Sequence, residues 1–324
     1  MTALSVLDLM MIGENKTFAD SLNDSLMLAR QAEQSGYRRY WIAEHHNMPG
    51  IASSSTTLIM SHLAAGTTSL RIGSGGIMMP NHSPLVVAEQ FATLNTLYPG
   101  RIDLGVGRAP GTDPLTAQAI RGERAAHREL SDDVRQLLDY LADNGHQPVR
   151  SLPGRQDVPV WILGAGMYGA DLAASLGLPY AFASHFAPAM LFRAIQHYRT
   201  HFRPGPYLTQ PYVVAGVNVF AADTAEEAEY LASSHRQWVI NRNAGRAGPL
   251  PAPVENYLDS IPEFQRRAMQ DELECTVTGT SEQVGAWLQW FIQETGADEL
   301  MIDARIYDPA DRCRSFRLTA ESFL

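Results

Sequence analysis

Short apolar runs alternate with amphipathic stretches along almost the whole chain. Leu4 to Met11 is an apolar strand broken only by Ser5 and Asp8, and Leu22, Leu26, Ala29 and Glu33 follow at helical spacing up to Gly36, a natural stop. Tyr40 to Ala43 predicts a second buried strand, and Ser53 to Gly66 a helix that buries Leu58, Ile59 and Leu63. Arg71 to Met79 and Ile102 to Val106 predict two more strands, joined by a helix from Pro84 to Leu97. A loop rich in proline and glycine then precedes a helix from Ala125 to Leu141, with Leu130, Val134, Leu137, Leu138 and Leu141 on one face. Gly145 to Asp157 is a polar connection. The rhythm continues with strands at Val158 to Leu163, Tyr180 to Ala183 and Tyr212 to Ala221, separated by helices from Tyr168 to Leu176 and from Pro188 to Phe202. Thr224 opens a helix with Glu226 and Glu227 in its first turn, a capping pattern.

The segment 241–270 breaks this rhythm with prolines, glycines and arginines, and predicts an irregular insertion acting as a lid. Val277 to Gly279, a helix from Ser281 to Thr295 and a strand from Glu299 to Asp303 restore it. Strand and helix alternate about eight times with no linker between domains. The economical solution is an α/β fold, a closed (β/α)8 TIM barrel with a late insertion, spanning 1–324 as one domain.

Composition narrows the classes of function. The net charge of −10 argues against nucleic acid as a main partner and offers a membrane no cationic face. No apolar run approaches the ~18–20 residues that cross a bilayer, and the two cysteines, Cys275 and Cys313, form no metal spacing and no disulfide framework. A cytoplasmic location is the expectation. Lys16 is the only lysine, and no function follows from that.

Candidate chemistry collects where strands end, as it does in α/β proteins. Glu44, His45 and His46 follow the second strand. They read either as a hydrogen-bonded rim cluster or as a proton-transfer site, since an imidazole with a pKa near ~6.5 suits that task. Adjacent strand residues point apart, which disfavours a metal. Gly75 and Gly76 interrupt the third strand, either relieving crowding or leaving bare backbone for a flat ligand. Arg108, just past the fourth strand, pairs with Asp103 or Asp113, or else holds a phosphate. Gly164, Ala165, Gly166, Met167, Tyr168 and Gly169 form a glycine-rich turn entering a helix, whose free N–H groups suit an anion. The acidic residue that a dinucleotide fingerprint requires is missing.

Taken together, Trp41 to His46, Ile72 to Pro80, Ala88 to Phe91, Pro99 to Asp103 with Gly105 to Arg108, and Val277 to Thr280 are similar to the bacterial-luciferase-like flavin monooxygenases. The resemblance covers nearly the whole chain. It implies a (β/α)8 barrel with a late insertion and a non-prolyl cis peptide in the third strand, where Gly75-Gly76 falls. It also implies FMN, supplied reduced by a separate NAD(P)H:flavin reductase, with its phosphate near Arg108 and the Gly164 to Gly169 turn. Gly107 stands where luciferase has a reactive cysteine, so light emission is not implied.

The implied activity is a two-component monooxygenase acting through a flavin C4a-peroxide on a small apolar substrate. His45 is its acid/base residue, oriented by Glu44 or His46, and Trp41, Met78 and Met79 form an apolar wall. A homodimer packing through small residues such as Ala64, Ala65 and Gly66 is expected. The alternatives are a deazaflavin-dependent hydride-transfer enzyme, a non-catalytic flavin-binding protein and a metal-dependent hydrolase built on Glu44, His45 and His46.

Overall fold

The computed structural model describes residues 2–121, 129–143 and 148–323. Nine strands form one parallel sheet: β1 (Ala3–Asp8), β2 (Arg39–Ile42), β3 (Arg71–Met78), β4 (Ile102–Gly107), β5 (Val160–Gly164), β6 (Tyr180–Phe182), β7 (Val213–Ala222), β8 (Thr276–Thr280) and β9 (Glu299–Asp303). Eight of them close a barrel in the order β6-β5-β4-β3-β2-β1-β9-β7, with β6 pairing back onto β7. The ninth, β8, pairs only with Asn218 to Ala222, the outer half of β7.

The helices are α1 (Phe18–Gln34), α2 (Thr56–Ala65), α3 (Pro84–Leu97), α4 (Pro114–Arg121), α5 (Leu130–Ala142), α6 (Met167–Leu176), α7 (Leu191–His201), α8 (Ala225–Asn243), α9 (Tyr257–Ser260), α10 (Glu263–Glu272), α11 (Ser281–Thr295) and α12 (Pro309–Glu321). Local chemistry sets several of their starts. Thr17 with Asp20 and Thr280 with Gln283 close capping boxes on α1 and α11, and Thr224 caps α8 by accepting from the Glu227 N–H.

Three details differ from the sequence expectations, and a fourth expectation lies outside the described residues. The helices α4 and α12 were not anticipated. The start expected at Ala125 falls in 122–128, outside the described residues. The 241–270 segment is less irregular than its composition suggests, since α8 runs to Asn243 and α9 and α10 follow. Leu58 is 72% exposed rather than buried.

Two apolar layers hold the fold. The outer one packs the barrel's exterior against the helices, and Met79 belongs to it. The inner one fills the barrel with Leu7, Trp41, Trp161, Val214 and Met301, the indoles of Trp41 and Trp161 meeting edge to face at 5.2 Å. Below it, at the amino ends of the strands, Arg39 bridges Asp103 and Glu299 at 2.8 and 2.7 Å, and its guanidinium stacks on Trp161. The interior of the barrel is plugged at this lower end by charge and aromatics, and barrel enzymes carry their chemistry at the carboxyl end.

Candidate active site

Glu44 sits at the carboxyl end of β2 with almost no exposed surface. Its carboxylate accepts from the Met78 N–H at 2.9 Å, from His46 and His82 at 2.9 Å each, and from Asn81 at 3.1 Å. Burial works to raise this carboxyl, but the contacts from His82, His46 and Met78 outweigh it and hold the group below its ordinary range. Glu44 is therefore an ionised brace tying the end of β2 to the end of β3.

His45 points elsewhere, as strand alternation requires. Its Nδ1 is buried without a hydrogen-bond partner, and no hydrogen bond joins it to Glu44 or His46 among the described residues. The expected orienting contact is thus absent, because Glu44 is already taken by His46 and His82. Burial, together with the charge of Arg305, pushes the His45 imidazole down to about 4. At neutral pH it is uncharged and able to accept a proton.

The Gly75–Gly76 peptide is cis. A Cβ on Gly75 would stand 2.9 Å from Leu7 and 3.1 Å from Trp41, and one on Gly76 would stand 2.8 Å from the Gly105 carbonyl oxygen. Close packing by the barrel's own atoms therefore already requires glycine at both positions. Trp41, expected in a wall, lies instead among the inner layer as a floor, and Met79 is core. Met78 is the half-exposed member of that trio.

Arg108 does not pair with Asp103 or Asp113. Asp103 is occupied by Arg39 and Arg71, and Asp113 caps α4 through Leu115 and Thr116. Arg108 lies exposed with its guanidinium 4.5 Å from the centre of the Tyr168 ring, and it has no carboxylate partner among the described residues. Tyr168 belongs to the first turn of α6, which Gly166 leaves without a side-chain cap. The turn Gly164, Ala165, Gly166, Met167 is half-exposed and held by the Tyr180 hydroxyl, which donates to the Gly166 carbonyl at 3.1 Å. A Cβ on Gly166 would meet nothing within 4 Å, whereas Gly169 packs against Gly164 and Tyr180. The Tyr168 hydroxyl is buried and unpartnered. An exposed cation with no carboxylate partner among the described residues, the uncapped start of α6 and the open space at Gly166 are the chemistry that suits an anion.

Sequence reasoning missed the other half of the rim. His82 joins Glu44 from the short turn after β3. Asp303 ends β9 and Arg305 follows it, Asn218 lies beside Asp303 across the β7–β9 pairing, His185 follows β6, and His235 comes from α8. All five of these are buried. Isolated polar residues in apolar runs carry little signal; only the spacing of Asp303 and Arg305 at a strand end could have flagged them. Among the described residues no group of three or more His, Cys, Asp or Glu side chains could hold a metal ion. A groove of about 640 Å³ lies at the opposite end, lined by Arg38, Arg71, Trp161 and Tyr207 among others. It sits at the amino ends of the strands, the face where barrels place stability rather than catalysis.

This barrel carries an exposed arginine at the uncapped start of α6 on one side of its mouth and an ionised brace on the other, and together with the fold these define a class. The model of the luciferase-like monooxygenase family matches residues 4–299, and the chain belongs to that family. It is an enzyme of the monooxygenase class. A luciferase-like monooxygenase from Escherichia coli K12 is 46% identical over 98% of this chain and 96% of its own length. The solved structure of apo-MsnO8 is 34% identical with a TM-score of 0.89, covering 100% of this chain and 98% of that one. The fold alone is shared with the oxygenating constituent of 3,6-diketocamphane monooxygenase from Pseudomonas putida in complex with FMN, 17% identical with a TM-score of 0.72 over 100% of this chain and 98% of that one. It is shared in the same way with an F420-dependent secondary alcohol dehydrogenase, 18% identical with a TM-score of 0.67 over 100% and 99%.

Proposed function

We propose that the protein is the oxygenating component of a two-component system, using reduced FMN from a separate NAD(P)H:flavin reductase, and O2, to oxidise a small organic substrate. The observation that carries this reading is the stack of Arg108 on Tyr168 at the uncapped start of α6. Arg108, the N–H groups from Met167 to Gly169 and the Tyr168 hydroxyl would hold the phosphate. The ring would lie toward the Gly75–Gly76 backbone and His45. FMN, when bound, supplies the electrons and the site of oxygen activation.

The chain's own residues do the rest. Glu44 fixes the ends of β2 and β3 relative to each other. His45, uncharged, is placed to take a proton at a buried Nδ1. The helices α9 and α10 pack Tyr257, Leu258 and Met269 against the inner apolar layer, which would keep water from the barrel's interior. We also propose a homodimer. Leu58 on α2 and Val86 and Leu97 on α3 are large exposed apolar side chains on consecutive helices. Ala65 is exposed beside them, whereas Gly66 seats Leu26 of its own chain.

Fluorescence titration with FMN and with the deazaflavin F420, followed by O2 uptake with a flavin reductase and NADH, tests the reading. FMN binding in preference to F420, with O2 uptake that depends on the reductase, is the expected result. Binding of F420 with no affinity for FMN would overturn it in favour of hydride transfer.

A further inference from the structure

Three arginines among the described residues are buried, and they differ in how they are satisfied. Arg39 uses all three guanidinium nitrogens, Nε and Nη2 on Glu299 and Nη1 on Asp103. Arg312 spans two separate acceptors, the Ala304 carbonyl at 2.8 Å and Asp8 at 2.9 Å. Arg305 is 3% exposed, yet its only hydrogen-bond partner among the described residues is Asp303. Its Nε and Nη2 both converge on the same Oδ2 at 2.9 Å, while Asp303 Oδ1 is left without a partner.

A guanidinium carries five N–H donors, more than a single carboxylate oxygen can accept. The first two arginines are structural fasteners. The third has an unused edge, and it stands at the carboxyl end of the barrel. Its place is well defined. Trp238 of α8 supports the guanidinium from one side, 4.7 Å from the ring centre. β9 and β2 are the two neighbours of β1, so residues following them stand about 10 Å apart across the rim. Burial foremost, with the charge of Arg305 contributing, lowers the imidazoles of His45, His185 and His235, so none of the three adds a positive charge to its own at neutral pH. Nothing among the described residues other than Asp303 offsets its charge by direct contact.

We infer that Arg305 is the substrate anchor of this site, and that it takes a carboxylate oxygen of a small organic acid, holding the rest of the molecule toward His45. A planar fork with one edge free matches a carboxylate better than it matches a neutral chain. This departs from the wholly apolar substrate that the sequence suggests, and it rests on the monooxygenase reading proposed above.

Ligand-observed NMR titration of the flavin-free protein with hexanoate and with 1-hexanol, two probes of equal chain length, tests it. Hexanoate should bind with a Kd lower by about tenfold or more, as a charge-assisted contact allows. Arg305→Met combined with Asp303→Asn removes the ion pair without stranding a charge, and should erase the difference while leaving FMN affinity unchanged. Arg305→Lys keeps the cation and should restore part of the preference. Equal binding of the two probes, no binding of either, a preference that survives the double variant, or a loss of FMN affinity in that variant would each overturn the inference. If the double variant fails to fold, the wild-type and lysine titrations still decide. Wild-type protein that distinguishes the two probes but does not bind FMN would defeat the flavin reading alone.

Discussion

Arg108 and His45 are the two side chains whose surroundings say most about what they do. Arg108 is a cation with no carboxylate partner among the described residues, its guanidinium over the Tyr168 ring at the uncapped start of α6. Arg108→Ala should weaken FMN binding about tenfold or more, as expected for losing a charge-assisted contact. Isothermal titration checks this, with Tyr168→Phe as the companion that keeps the stack and removes the unpartnered hydroxyl. His45 carries a different prediction. Its imidazole lies at about 4 against an ordinary 6.5, mainly through burial. The acid limb of turnover should therefore fall nearer pH 4 than pH 6.5, as read from kcat/KM profiles. The same displacement has a consequence for stability. His185 also lies at about 4 because of burial. Between pH 4 and 6.5 the unfolded chain binds more protons at both histidines than the native one does. Stability should thus be complete above about 6.5 and decline as pH falls toward 4. A urea midpoint that does not fall between pH 7 and pH 5 would contradict it.

At the scale of elements, α12 shows what single-chain patterns miss. The helix is rich in polar residues, and its apolar face reads weakly: only Cys313, Phe316 and Ala320 are buried hydrophobics. Its start is nevertheless written in Asp308, which caps the Ala310 and Asp311 N–H groups, and in Pro309 at the first turn. The fastener is Arg312, buried on Asp8, which also accepts from Ser25, Tyr40 and the Met10 N–H. Arg312→Ala would leave that carboxylate buried and unpaired and should cost about 3–5 kcal/mol, measurable by chemical denaturation. A cost under about 1 kcal/mol would show that α12 is held by its apolar contacts alone. The other elements were legible because their signals are local. α3, α11 and β9 run over the residues their periodicity marks, and the Thr224 cap sits where the acidic first turn places it. β8 reads as one more barrel strand in the sequence, and only the pairing of its residues with the outer half of β7 puts it outside the ring.

The whole molecule is a barrel closed below and furnished above. Its lower end is sealed by Arg39, Asp103, Glu299 and two tryptophans, so polar groups with spare bonding capacity gather at the upper end. Glu44 to His46, Gly75, Gly76, Arg108 and the Gly164 to Gly169 turn could be marked as candidates from the chain, because each stands just past or within a legible strand. The rest of that upper site could not. His82, His185, Asn218, His235, Asp303 and Arg305 come from separate elements, and closure of the ring is what brings them to one rim. The most direct measurement is a crystal structure of the protein soaked with FMN. The account predicts the phosphate between Arg108 and the first turn of α6, with the ring beside Gly75, Gly76 and His45. A phosphate bound elsewhere, or a ring lodged in the groove at the amino ends of the strands, would contradict it.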